Sequence, residues 1–361
     1  MVSVIVATHN RGHYLAAFLG SVLSQDYEGA FELLVVDNGS TDETAAILEQ
    51  WNKTDERIKP LYQPVLGKSR ALNLAIDRAS GDLLLFTDDD VILDPGWIRH
   101  FALFLRSTGS QLVLAGGTIL PVAMDLDPWP DWLSEAGVAD VPTQLDHGPR
   151  RQLDEDFEYV WGANLGLTAR SFDLVGPWDL DLGPRGDRSQ TFPAPRVGQA
   201  ADAFYNDRVR AAGGAVWFLP EPVVHHRVRR EEVTPRRILI TAFGRGRQES
   251  AYFTHVGWHW ERPEVADRLT KRLLSRHLFL WSHLMSAVGW AIAFGLIGRA
   301  AWFEGARHSA WLSGWILQSF ADETGTLPVL VARPSALLRR LALAAVAIRQ
   351  APSSAPKNTG L

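Results

Sequence analysis

Two short β-branched apolar runs, Val2 to Ala7 and Phe31 to Val36, frame a stretch in which Leu15, Phe18, Leu19, Val22 and Leu23 recur at helical spacing. Runs of that length closed by polar turns read as strands, and the period between them reads as a helix, so the chain opens on a β-α-β unit. The pattern continues with a helix from Glu43 to about Trp51 capped by Thr41 or Asp42, a strand around Ile58 to Tyr62, a helix from Lys68 to Ala79 and an apolar strand from Leu83 to Phe86. Alternation of this kind predicts a parallel, doubly wound α/β sheet, because parallel neighbours need a helical crossover. The turns that follow the strands are Thr8 to Gly12, Asp37 to Asp42 and Thr87 to Asp90. They gather on one edge, the carboxyl edge at which open α/β sheets hold ligands such as nucleotides.

Asp88, Asp89 and Asp90 are three adjacent carboxylates at such a strand end. Like charges this close raise one another's pKa unless something positive compensates. A hard divalent cation that also touches phosphate suits them, since Mg²⁺ takes one or two carboxylates and completes its shell with phosphate oxygens and water. A solvated acidic turn, or a helix cap by Asp90 or Asp94 ahead of Pro95, accounts for the same residues without a metal. Asp37 sits where a carboxylate accepts hydrogen bonds from a ribose or a base, and an Asx-turn in Asp37-Asn38-Gly39-Ser40 explains it without a ligand. Neither a GxGxxG fingerprint nor a P-loop is present.

With 46% hydrophobic and 21% charged residues in 361, the chain is globular and long enough for a large domain with an appendage. It has no cysteine, which excludes disulfides and thiolate metal sites. Its start, Met-Val-Ser-Val-Ile-Val, has no basic or long apolar leader, so the catalytic part is expected in the cytoplasm. From Glu261 onward there are 12 Lys or Arg against 6 Asp or Glu behind an acidic body. That asymmetry suggests an anionic membrane surface as partner, at the inner face of the cell membrane. Nucleic acid is not expected, as no helix-turn-helix, zinc-finger or RNA-binding signature occurs. His277 to Gly298 is a stretch of 22 residues without Asp, Glu, Lys or Arg. Its length suits a membrane span, an interfacial helix pair or a buried hairpin. Leu337 to Ile348 is a second basic amphipathic candidate, and Ala351 to Leu361 reads as a disordered tail.

The blocks Ser3 to Arg11, Leu33 to Asp42, Gly67-Lys68-Ser69-Arg70-Ala71-Leu72-Asn73 and Gly81-Asp82 leading into Phe86-Thr87-Asp88-Asp89-Asp90 resemble, in order and spacing, those of family 2 glycosyltransferases. Trp161 to Leu167, Gly176-Pro177-Trp178-Asp179 and Leu182-Gly183 extend the resemblance over residues 2 to 250. It implies a GT-A fold: a Rossmann-like, mostly parallel sheet flanked by helices, here with a C-terminal α-helical extension. The implied domain covers residues 1–250, with a nucleotide-binding half over 1–120 and an acceptor half over 121–250. A helical, basic region over 251–350 and the tail over 351–361 follow. The implied activity is inverting transfer of a sugar from a nucleoside diphosphate sugar, a UDP sugar being expected, with Mg²⁺ or Mn²⁺, to a glycan or lipid-linked acceptor.

By the same resemblance Thr8, His9 and Arg11 lie at the nucleobase, Asp37 accepts a hydrogen bond from the base, and Arg70 reaches the pyrophosphate, with Lys68 a further phosphate candidate. Asp88 is implied near the ribose and the metal, Asp90 on the metal, and Asp89 facing away, since neighbours on extended chain alternate sides. His226, on the segment Trp217 to Arg227, is an implied metal or diphosphate contact. An inverting displacement needs a base for the acceptor hydroxyl. The family usually offers Glu-Asp, and here Ala201-Asp202 aligns, which leaves Asp202 as implied base and Asp187 as fallback. The Pro-rich stretches Asp125 to Arg150 and Gly183 to Gly198, and the arginines of Phe243 to Arg247, are candidates for acceptor recognition, a mobile loop and phosphate contact. Two other classes compete. A sugar nucleotidyltransferase uses a similar sheet but a Gly-rich basic first loop, of which Thr8 to Gly12 is a poor version. A non-catalytic binder of donor or glycan is suggested by Ala201.

Overall fold

The computed structural model describes residues 1–124, 144–154, 158–180, 201–230 and 233–234. In chain order the elements are β1 (Val2–Thr8), α1 (Gly12–Leu23), β2 (Phe31–Asp37), α2 (Thr44–Thr54), β3 (Ile58–Tyr62), α3 (Lys68–Ile76), β4 (Leu83–Thr87), β5 (Val91–Leu93), α4 (Trp97–Ser107), β6 (Val113–Ala123), β7 (Arg151–Gln152), β8 (Asn164–Thr168), α5 (Ala169–Val175), α6 (Ala201–Ala211) and β9 (Ala215–Val228).

All nine strands of the described residues join one sheet in the order β3-β2-β1-β4-β8-β6-β9-β5, with β7 beside β9. The alternating side chains of its central strands feed two cores. Val2, Val4 and Val6 of β1 pack with Leu33 and Val35 of β2 beneath Leu15, Phe18, Leu19 and Val22 of α1 and Trp97, Phe101 and Leu105 of α4. On the other face Ile5, Leu34, Val36 and Phe86 meet Ala71, Leu72 and Ala75 of α3 and Tyr205 and Val209 of α6. This three-layer arrangement is why β1, β2 and β4 read as continuous apolar runs: strands covered on both faces have no wet side. Each fully buried Leu, Ile or Phe contributes roughly 1.5–3 kcal/mol relative to exposure.

The expected parallel sheet holds for β3-β2-β1-β4, whose neighbours all pair parallel. Beyond β4 the sheet is mixed: β8 runs antiparallel to both β4 and β6, β6 pairs parallel with β9, and β9 pairs antiparallel with β5 and β7. The reason is local. The Asp triplet forms a tight turn rather than extended chain, which sends β5 away from β4 to the far edge against β9. Helix α4 begins after Gly96 with no side-chain cap, so the capping role considered for Asp90 and Asp94 is not what those carboxylates do. Helix α2 starts after Glu43, with Asp42 Oδ1 accepting from Thr44 N at 3.1 Å. Among the described residues no helix is long and apolar enough to cross a membrane. The segments 183–198, 243–247 and 277–298, the helical region and the tail lie outside the described residues, as does most of 125–150.

Candidate functional site

The carboxyl ends of the first strands are tied together by asparagines. The Asn38 amide donates to Gln63 O and Val65 O at 2.9 and 2.8 Å, its Oδ1 accepts from Gly67 N at 2.8 Å, and its backbone N–H donates to Thr8 O at 2.8 Å. One residue thereby fixes the end of β1, the end of β3 and the start of α3. Gly67, at φ 144°, occupies a backbone region open to glycine, and it delivers Lys68 and Arg70 on the first turn of α3. Asn10 has φ 53° and accepts from Thr41 N at 2.7 Å, closing the first turn onto the second. His9 Nδ1 donates to Asn38 O at 2.9 Å. Asp37 is buried and accepts from Ser40 N at 2.9 Å, the Asx-turn its sequence allows.

The three aspartates part company in the turn between β4 and β5. Asp88 pairs with Lys68 Nζ. Asp89 is buried over Thr8 and accepts from Arg11 Nη1 at 2.9 Å. Asp90 pairs with the same Arg11 nitrogen, and its Oδ1 lies 3.4 Å from His226 Nε2. Strand pairing explains the last contact: His226 stands opposite Val91 in the β5-β9 ladder, and Arg227 N donates to Asp90 O at 2.9 Å. Its neighbour His225 faces the other way and meets Asp94 at 2.8 Å.

Asp88, Asp90 and His226 each offer one ligand atom, all within 4.8 Å of one another. Asp90 Oδ1 and His226 Nδ1 are buried without a hydrogen bond among the described residues. Buried polar atoms are ordinarily satisfied, so an unmet carboxylate oxygen facing the Nε2 of a histidine suits a cation. Two carboxylates and one imidazole fit Mg²⁺ or Mn²⁺, the imidazole leaning toward the transition metal. Asp89 stands outside this triad.

The charges respond to one another. Burial works against the Arg11 and Lys68 cations, yet the aspartates beside them outweigh it and hold both groups firmly protonated. Burial alone would lift Asp88, but the Lys68 charge and hydrogen bond, with His226 and Arg11, bring its carboxyl below the usual range. Asp89 is pushed up to about 6 by burial, which Arg11 only partly offsets while Asp90 and Asp88 add to it.

Asp202 lies on the first turn of α6, and its Oδ2 accepts from Gly162 N at 3.0 Å. Asn206, fully buried one turn later, donates to Asp202 O at 2.7 Å and to Val160 O at 2.9 Å, and accepts from Val160 N at 3.0 Å, which clamps the segment before β8 to the helix. A Cβ on Gly162 would come 2.9 Å from Asp202 Oδ1, so glycine permits the approach. Burial raises the Asp202 pKa, Lys68 and the Gly162 hydrogen bond pull it back, and Asp88 adds to the rise. Lys68 therefore sits between Asp88 and Asp202, and one site joins Lys68, Asp88, Asp90, Arg11, His226 and Asp202.

Arg11, expected at the nucleobase, pairs with Asp89 and Asp90. Lys68 is likewise engaged by Asp88. Arg70 is exposed and has no ion pair among the described residues. Asp187 lies outside the described residues, and Asp207 pairs with Arg210 at 3.1 Å. Asn38, Asn206 and Asn164 are positioning residues that the sequence reading did not single out. Asn164 is fully buried at the start of β8, where it accepts from Trp97 Nε1 at 2.7 Å and donates to Thr118 O and Pro222 O at 2.8 Å each. A polar residue inside the small apolar stretch Gly162 to Leu167 was its one available signal.

Comparison with known proteins agrees with this geometry. The profile described as glycosyl transferase family 2 matches residues 3–138. A glycosyltransferase of Haemophilus influenzae is 32% identical over 126 residues, 35% of this chain and 38% of that protein. The poly(ribitol-phosphate) beta-N-acetylglucosaminyltransferase TarS of Staphylococcus aureus is 33% identical over 114 residues, 31% of this chain and 20% of that one. The chain thus spans well under half the length of these relatives. Among solved structures, a mannosyltransferase from Pyrobaculum calidifontis in complex with GDP-Man and Mn²⁺ superposes with a TM-score of 0.54 at 18% identity, over 89% of this chain and 87% of that one.

Proposed function

We propose that this chain, which is similar to the family 2 glycosyltransferases over residues 3–138 and shares the fold of a solved mannosyltransferase, transfers a sugar, with inversion, from a nucleoside diphosphate sugar to a hydroxyl of a glycan or lipid-linked acceptor. The observation that carries the proposal is the convergence of Asp88, Asp90 and His226, with Asp90 Oδ1 unmet, at the carboxyl edge of the parallel strands. These three residues would hold Mg²⁺ or Mn²⁺, which when bound neutralises charge on a departing diphosphate. His9 and Asp37 are assigned to the nucleobase, with a UDP sugar as expected donor, and Arg70 to the pyrophosphate.

Asp202 is assigned as general base. Its carboxylate is half-buried, raised in pKa and held by Gly162, so one oxygen is oriented while the group keeps affinity for a proton, as a base acting near neutral pH requires. Lys68 offsets the repulsion between Asp202 and Asp88. The relatives' roles in glycan synthesis support a place in surface polysaccharide or lipid-linked glycan assembly. The basic C-terminal region supports work at the inner face of the membrane.

Asp202→Asn tests the assignment. Turnover is expected to fall by roughly 10² to 10⁴ with donor binding retained. Wild-type turnover in this variant would remove the base, and an absence of turnover in the native protein across donors and acceptors would favour a non-catalytic binder.

A further inference from the structure

Beside the carboxylate site lies a basic cluster that the transfer reaction, as assigned above, does not use. Three arginines surround one aromatic ring. The guanidinium carbons of Arg229, Arg227 and Arg11 lie 4.6, 4.9 and 5.6 Å from the centroid of Tyr14, which is buried beneath them on the first turn of α1. Arg227 also donates to Tyr14 O at 3.2 Å. Arg11 is neutralised by Asp89 and Asp90, whereas Arg227 has no carboxylate partner among the described residues. His13, exposed on the same turn, has its pKa lowered by desolvation and then by Arg229 and Arg11, despite Glu43 and Asp42 pulling the other way. Like charges gathered on one ring favour an anion beside them.

Arg11 links this cluster to Asp90, whereas Arg227 faces away from the metal triad. Neighbours on a strand face opposite sides. On β9 His226 turns to Asp90 and the metal triad, and Arg227 turns to Tyr14. A diphosphate held through a cation at Asp88, Asp90 and His226 would lie on the His226 side, which leaves the Arg227 side open to a second anion. Guanidinium groups form planar forks that match phosphate oxygens, and a stacked ring fixes their orientation. We propose that Arg227 and Arg229, supported by Tyr14, form a phosphate subsite for an acceptor that itself carries a phosphate, such as a phosphodiester-linked or lipid-phosphate glycan. The proposal rests on the transferase reading. It adds the acceptor's chemistry and places the acceptor phosphate one strand face away from the reacting sugar.

The test uses the full chain saturated with UDP or GDP and Mn²⁺, titrated with glycerol phosphate. Binding that persists with the donor site filled, that weakens with salt, and that falls by roughly tenfold or more in both Arg227→Gln and Arg229→Gln is the expected result. The nucleotide–Mn²⁺ affinity is expected to stay within about twofold of wild type in both variants. Loss of glycerol phosphate binding once nucleotide and Mn²⁺ are present would overturn the proposal, because the arginines would then belong to the donor diphosphate. So would unchanged binding in both variants. A third contrary outcome is arginine-dependent adsorption to phosphatidylglycerol vesicles with no glycerol phosphate binding, which would make the cluster a membrane contact. The saturation experiment on wild type stands even if a variant fails to fold. Failure of nucleotide to bind with Mn²⁺ at all is a separate result, directed at the transferase reading rather than at this subsite.

Discussion

Replacing Asn164 with leucine should destabilise the protein more than any single surface contact does. The side chain is fully buried, accepts from the Trp97 indole and donates to the carbonyls of Thr118 and Pro222. Leucine has similar volume and neither donor nor acceptor, so three buried groups lose their partner at once. Each orphaned group costs about 1–3 kcal/mol. Even at the low end the sum is about 3–4 kcal/mol, a large part of the roughly 5–15 kcal/mol that holds a typical domain folded. Urea unfolding followed by tryptophan fluorescence would measure it, with an unchanged slope showing that only stability moved. Trp97→Phe, which removes one of the three bonds, should cost about 1–2 kcal/mol, and the double variant should cost less than the sum. A loss below about 1 kcal/mol for Asn164→Leu would refute the view that this asparagine holds β8, β6 and β9 in register behind His226.

Other consequences follow from the same geometry. Because burial raises the Asp202 pKa, the folded state is disfavoured by its ionisation: its contribution to stability is greatest below the ordinary carboxylate range and declines as pH rises through the elevated one. Base activity appears over the same rise, so kcat/KM should show an acid limb that Asp202→Asn abolishes, while this variant unfolds at higher urea than wild type at neutral pH; a limb that survives would point to another base. Gly117→Ala would place a Cβ 2.1 Å from Pro222 O and 2.5 Å from Asn164 Nδ2, and should cost about 3 kcal/mol in denaturant unfolding. Gly162→Ala, whose Cβ would meet Asp202 Oδ1 at 2.9 Å, should instead lower turnover more than stability, a split read from kcat against the urea midpoint.

The parallel half of the sheet was legible because β1, β2 and β4 are buried on both faces and so advertise themselves as apolar runs. Strand β6 was not drawn from the sequence, and helix α4 entered only as the helix near Pro95 that Asp90 or Asp94 would cap. Strand β6 carries Gly116, Gly117 and Pro121, which read as turn residues, yet its partners β8 and β9 press so close that glycine is required there. The Asp triplet was legible as a charged strand end, but its division of contacts was not: Arg11 and Lys68 approach from turns 78 and 20 residues away in the chain. Register across β5 and β9 brings His226 to Asp90, and no local pattern encodes that pairing. The buried asparagines were invisible for a similar reason. Asn38 and Asn206 look like ordinary turn and helix-surface residues until the backbone groups they satisfy are in place.

The most direct test of the account is calorimetric titration of UDP and GDP into the protein with Mn²⁺ and with EDTA, repeated for Asp90→Ala and His226→Ala. The account predicts binding of at least one nucleotide with Mn²⁺, loss of tenfold or more in EDTA and a comparable loss in each variant. Equal affinity in EDTA, or Mn²⁺-dependent binding untouched by either substitution, would contradict a metal centre at Asp88, Asp90 and His226.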